Sequence, residues 1–227
     1  MKKIIFVFLA ILPLFVFSQK KRKTKHELPI IKPMICTEKD IFGYLMIKEI
    51  KKFQKDLNEE YLDKKETPLR GDNYTKFKQH PFFPIDLKYR VTAKFIKNEK
   101  PEPFDLPTSS GKSKSYQEYG KATFSLDGKS YTLTIYQSLD LMKMEKYKDH
   151  LFLPFRDETN LKETYGGGKY MDLTIPKGNT IILDFNQSYQ PFCAYNAYDY
   201  NCPIVPEENK LPVAIRAGVM YDDIYHH

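Results

Sequence analysis

The residues of this chain with chemistry to offer crowd into one stretch, from Arg156 to Cys202. Asp157 follows Arg156, while Asp172 and Asp184 fall on two segments that alternate like strands. If the three aspartates converge at a sheet end, their oxygens suit a hard cation such as Ca²⁺. Two of them could instead act as acid and base in hydrolysis. The competing reading is structural: Arg156 and Lys169 neutralise these carboxylates, and Asn186 caps a turn. Between the aspartates runs Tyr165-Gly166-Gly167-Gly168-Lys169. It is not a phosphate loop, which needs two glycines four residues apart, then Lys and Ser or Thr at the start of a helix. It reads as a glycine-rich lead-in to a strand, where a backbone or a ligand comes close. On a binding reading, Arg156, Tyr165, Gly167, Lys169, Asn186 and Tyr195 are the contact residues.

Cys193 and Cys202 bracket a short loop. In an exported chain the simplest outcome is a disulfide. Closing so short a loop contributes about 2.5–3 kcal/mol in the chain-entropy picture. A zinc site would need four ligands, and no His lies nearby in sequence. No metal and no cofactor is expected. Cys36 is left over, either free or intermolecular. Around the pair stand Tyr189, Phe192, Tyr195, Tyr198 and Tyr200 among Asn and Asp. Such a loop suits a polar ligand with flat faces, such as a glycan, because Tyr supplies area and a hydrogen-bonding tip at low entropy cost. The absence of Trp counts against a sugar, and a loop that merely seals the end of a barrel is the other reading. His80 and His150 are isolated and no Gly-x-Ser-x-Gly is present, so a serine or cysteine hydrolase is not expected. Two readings stand: a non-catalytic module binding a small polar ligand or partner, or a metal-dependent or acid–base hydrolase using Asp157, Asp172 and Asp184.

The chain's start sets the compartment. Lys2 and Lys3 precede an apolar run, Ile4 to Phe17, and Val16 and Ser18 stand where a signal peptidase reads small residues. Residues 1–18 are read as a signal peptide, too short to span a bilayer comfortably. The product is expected to be secreted or periplasmic, with no transmembrane span after cleavage. Residues 19–36 form a basic, Pro-containing arm. The sequence holds 36 Lys and Arg against 29 Asp and Glu. Beyond the leader, Lys20, Lys21, Arg22, Lys23 and Lys25 account for the excess, so the chain from His26 onward is close to neutral. That argues against nucleic acid as partner of the folded part. The arm could touch an anionic envelope surface.

These residues need a scaffold. With 17 Tyr, 16 Phe and 15 Pro, the composition favours many short strands and turns. One helix stands apart. Thr37 is its N-cap, and Ile41, Tyr44, Leu45, Ile47, Ile50, Phe53, Leu57 and Tyr61 recur at helical spacing over roughly 38–62; the helical segment is taken as residues 37–66. Residues 67–227 form the β-rich domain. Tyr119 to Tyr136 predicts a hairpin turning at Asp127-Gly128. Tyr170 to Ile175 and Thr180 to Phe185 predict a second, turning at 176–179. Tyr89 to Ile96 and Val213 to Ala217 read as further strands, and Pro101, Pro103 and Pro107 read as breaks. The expected fold is mainly β: an antiparallel sheet curled into a barrel or sandwich, with one N-terminal amphipathic helix packed on it.

An ordered string of motifs runs through the C-terminal half. It comprises Leu151-Phe152-Leu153-Pro154-Phe155-Arg156-Asp157, Thr164 through Leu173, Leu183-Asp184-Phe185-Asn186, Cys193-Ala194-Tyr195-Asn196, Cys202-Pro203 and Ala217-Gly218. In this order the chain resembles domain-of-unknown-function family 1684, in its exported, Bacteroidetes-type form, over roughly residues 68–220. The resemblance implies a shared fold and no reaction. Where such sequences usually carry Gly after Asn160 and Arg before Tyr170, this one has Leu161 and Lys169. The Leu argues against a tight turn there, and the Lys keeps the charge.

Overall fold

The computed structural model describes residues 37–222. The segments read as signal peptide and basic arm, Cys36 and the terminal histidines lie outside the described residues. From Thr37 onward the chain forms one compact unit.

Helix α1 spans Glu38–Leu62, where the apolar spacing places it. Thr37 Oγ1 accepts the Asp40 backbone N–H at 3.2 Å, and Asp40 Oδ2 accepts the Thr37 N–H at 3.0 Å. This reciprocal cap satisfies two amides that the first turn cannot. Ile50, Leu57 and Tyr61 form the buried stripe. A short helix, α2 (Gly71–Lys76), follows.

Seven strands come next: β1 (Arg90–Lys97), β2 (Pro103–Pro107), β3 (Ser113–Leu126), β4 (Lys129–Ser138), β5 (His150–Phe155), β6 (Lys169–Thr174) and β7 (Thr180–Asp184). All pair antiparallel in the order β6-β5-β4-β3-β1-β7, with β2 added along the first half of β3. The sheet forms a half-barrel on which α1 packs. The β3–β4 hairpin turns at Asp127 and Gly128, both at positive φ (50° and 77°), the conformation a two-residue turn requires.

Inward-facing residues of alternate positions fill the half-barrel: Ala93 and Phe95, Ala122 and Phe124, Leu133 and Ile135, Leu151 and Leu153, Ile181 and Leu183. The outer face of β3–β6 carries a second apolar cluster. There Tyr116, Tyr136, Phe152 and Tyr170 cluster with Leu106 and Val205. A third cluster joins α1 to the C-terminal segment through Tyr61, Phe77, Tyr195 and Val219. Among the described residues no helix is long and apolar enough to cross a membrane.

Three expectations fail, each for a non-local reason. The second predicted hairpin does not exist: β6 pairs with β5, and β7 pairs with β1 at the other end of the sheet. Residues 175–179 carry the chain across the open side instead, and side chains of β6, β7 and α1 line a cleft of about 490 Å³ there. Val213–Ala217 is not a strand. Its carbonyls at Ile215 and Ala217 accept from the Lys169 ammonium rather than from a neighbouring ladder. Pro103 and Pro107 do not break structure but bound β2, an edge strand, where a missing amide costs no ladder bond.

Candidate functional site

The glycine run behaves as a lead-in to β6. Gly168 sits at φ +101°, and a Cβ there would lie 2.6 Å from Val205 Cγ2 and 2.7 Å from the Phe155 carbonyl. The space belongs to the protein itself. Next to it, Lys169 is fully buried, its Nζ 3.0 Å from Asp157 Oδ2, which is equally buried. The ammonium also donates to the Ile215 carbonyl at 2.8 Å, and Asp157 Oδ1 accepts from the Thr159 and Ile215 amides. Burial pulls the Lys169 ammonium below the usual lysine range, with Asp157 opposing. Lys169 and Asp157 therefore tie the C-terminal segment down and reach no surface. Arg156 is zipped through its backbone to Asn209 and Leu211. Tyr165 and Gly167 do line a shallow cleft of about 470 Å³, with Leu161 and Tyr221.

The other aspartates go elsewhere. Asp184 accepts from Arg90 Nη1 at 2.6 Å and from the Asn186 and Gln187 side chains. Asp172 accepts from Tyr189 OH at 2.8 Å and stands 2.9 Å from His150 Nε2. Each carboxylate has its own partners. Among the described residues no trio of His, Cys, Asp or Glu is placed to hold a metal ion. The three do not converge: Asp157 is sealed in with Lys169, while Asp172 and Asp184 both line the cleft of about 490 Å³ between α1, β6 and β7, each held by its own partners.

Asn186 and Tyr195 also need correction as surface contacts. Asn186, 1% exposed, donates from Nδ2 to the Asp86 carbonyl at 3.0 Å and accepts the Asp86 amide at 3.1 Å. Tyr195, 2% exposed, donates to Gln190 Oε1 at 2.8 Å, and its oxygen lies 3.1 Å from His80 Nδ1. His80 packs against the rings of Tyr61, Phe77, Phe82 and Tyr195, and burial pushes its pKa down to about 3.

The cleft with open chemistry lies on the outer face of β5 and β6, beside the cysteine loop. Cys193 and Cys202 are disulfide-bonded, their Cα atoms 6.2 Å apart. Phe192 and Tyr200 meet edge to face across this loop at 4.8 Å. On the sheet side, Phe152 and Tyr170 meet edge to face at 4.7 Å. Tyr116, Tyr147 and Tyr189 complete the aromatic lining, and His150, Asp172, Asp199 and Asn201 supply polar groups to a cleft of about 690 Å³. Burial pushes the Tyr116 phenol up to about 12, and it raises those of Tyr170 and Tyr189 as well. These hydroxyls stay neutral at ordinary pH. Tyr170 donates its proton to the Pro203 carbonyl, which pins the loop to the sheet.

Sequence reasoning missed His150, which reads as isolated. On paired strands Phe152 faces Asp172 and His150 faces Thr174, so His150 and Asp172 are diagonal neighbours on one face. Only the β5–β6 register reveals this.

Residues 75–220 match the family described as "Protein of unknown function (DUF1684)". The chain belongs to this family. A similar solved structure is the solution NMR structure of the uncharacterized protein from gene locus rrnAC0354 of Haloarcula marismortui. It is 31% identical with a TM-score of 0.64, over 82% of this chain and 100% of that one. No curated protein matches the chain.

Proposed function

We propose that this DUF1684 protein is an exported, non-catalytic module that holds a small polar ligand with flat faces in the aromatic cleft. A glycan is the first class to test. The supporting observation is the cleft lining: seven rings, from Tyr116, Tyr147, Phe152, Tyr170, Tyr189, Phe192 and Tyr200, around about 690 Å³. Small-molecule sites typically span about 300–1,000 Å³, with mostly apolar walls and a few placed polar groups. Asp172, His150 and Asn201 are such groups. Among the described residues, the lining holds no Ser or Thr, and its one cysteine is disulfide-bonded. His150 and Asp172 thus stand without a hydroxyl or thiol nucleophile of the Ser, Thr or Cys kind beside them, which favours holding a ligand over acyl transfer. The N-terminal leader pattern and the disulfide both favour an oxidising compartment, periplasmic or extracellular, and a place among exported, Bacteroidetes-type members of the family.

The chain has no Trp, and five of its 17 Tyr line the cleft, so a bound ligand alters part of the tyrosine emission. Titration with neutral and amino-bearing oligosaccharides should change that emission and raise the melting temperature. Tyr147→Ala and Tyr200→Ala, which shorten the cleft's two walls, should each weaken binding about five- to tenfold. A panel that moves neither signal in the unsubstituted protein, or binding that ignores both substitutions, overturns the reading.

A further inference from the structure

The first two turns of α1 present an apolar face to solvent. Ile41, Phe42, Tyr44 and Leu45 are 49%, 62%, 66% and 50% exposed. With about 100° between successive residues, Ile41 and Leu45 project from the side opposite the buried Ile50. Single exposed apolar residues are ordinary, but four within two turns form a patch that marks an interaction site. The same side then continues as Lys48, Lys52 and Lys55, all exposed. Lys52 and Lys55 pair with Asp56 and Glu59 one turn on, and Glu49 faces Arg90; such exposed pairs are weak and exchange readily for other anions. In sequence, Lys20, Lys21, Arg22, Lys23 and Lys25 precede this helix.

We propose that this face of α1 docks on an anionic lipid bilayer. Ile41, Phe42 and Leu45 enter the boundary between headgroups and acyl chains, and Lys48 and Lys52 meet lipid phosphates. An apolar end with lysines farther along the same side suits a helix whose first turns dip into the headgroup layer while its lysines stay at the phosphates, and upstream basic residues add attraction to anionic headgroups. A second copy of the chain fits less well. Four partly exposed side chains fall short of the about 800 Å² per partner that a stable interface buries.

The test uses the chain from Gln19, which keeps the whole compact unit beginning at Thr37. It is sedimented with vesicles of phosphatidylcholine, alone or mixed with phosphatidylglycerol. The mixed vesicles should retain it, and added salt should weaken retention. Ile41→Ser/Phe42→Ser/Leu45→Ser should lower partitioning about tenfold or more with an unchanged thermal melt. Lys48→Glu/Lys52→Glu, a second variant at exposed positions, should lower it too. No retention, equal retention on both vesicle types, or retention indifferent to both variants overturns the proposal. So does a dimer in solution that the serine variant converts to monomer while vesicle binding is absent.

Discussion

Lys169 holds its ammonium 3.0 Å from Asp157 in a site that reaches no solvent. A buried ion pair adds little over an apolar pair of equal volume, but removing one partner strands the other charge. Lys169→Met should therefore destabilise the fold by about 3–5 kcal/mol. Adding Asp157→Asn should recover most of that loss, since an amide oxygen can still accept the Thr159 and Ile215 amides. Urea midpoints of the two single variants and the double variant measure the coupling. A double variant no more stable than Lys169→Met contradicts this.

His80 predicts an acid-sensitive window. Its folded pKa lies near 3 against an ordinary 6.5, because burial penalises the charged ring. The unfolded chain takes up the proton first, as pH falls through 6.5. Stability from this group is complete above 6.5, declines down to about 3, and is flat below. The full span is on the order of 4–5 kcal/mol, at about 1.4 kcal/mol per pH unit. His80→Phe keeps the ring and removes the titration. Denaturation at pH 7 and pH 4 should show a smaller difference for the variant than for the unsubstituted chain.

The turn at residues 159–164 exists despite its leucine. Leu161 sits at φ +65°, 88% exposed, while its amide donates to the Thr164 carbonyl and the Lys162 amide to the Thr159 carbonyl. A left-handed leucine costs roughly 1–2 kcal/mol, which the extra freedom of glycine in the unfolded chain offsets in part. Leu161→Gly should stabilise by about 0.5–1 kcal/mol. Gly168→Ala should do the opposite, by about 2–3 kcal/mol, because it adds a clash with Val205 to an unfavourable φ. Thermal melts of the two variants, moving in opposite directions, check both.

The outcome for the aspartates shows how far residue types carry. The sequence offers two fates for Asp157: convergence with Asp172 and Asp184, or neutralisation by a nearby cation. Lys169 supplies the second, and Arg90, far away in sequence, does the same for Asp184. Asn186 and Tyr195 are chemically suited to a ligand, yet the fold turns both inward to hold the Asp86 backbone and the His80 ring. Tyr200, Phe192 and Tyr189, read from the same loop, do reach the cleft. The cysteine pair, argued from compartment and spacing, is bonded.

What the chain determined alone was local. The N-cap at Thr37, the buried stripe of α1, the Asp127-Gly128 turn and the run of short strands depend on neighbours a few residues away. Side-chain caps, positive-φ turns and alternation act at that range. Only the tertiary structure decided which strands meet. It separated β6 from β7, set the register that joins His150 to Asp172, and lent the carbonyls of 215–217 to a buried lysine. Those choices follow from closing the half-barrel over its core, where burial of distant side chains outweighs the preferences of any one segment.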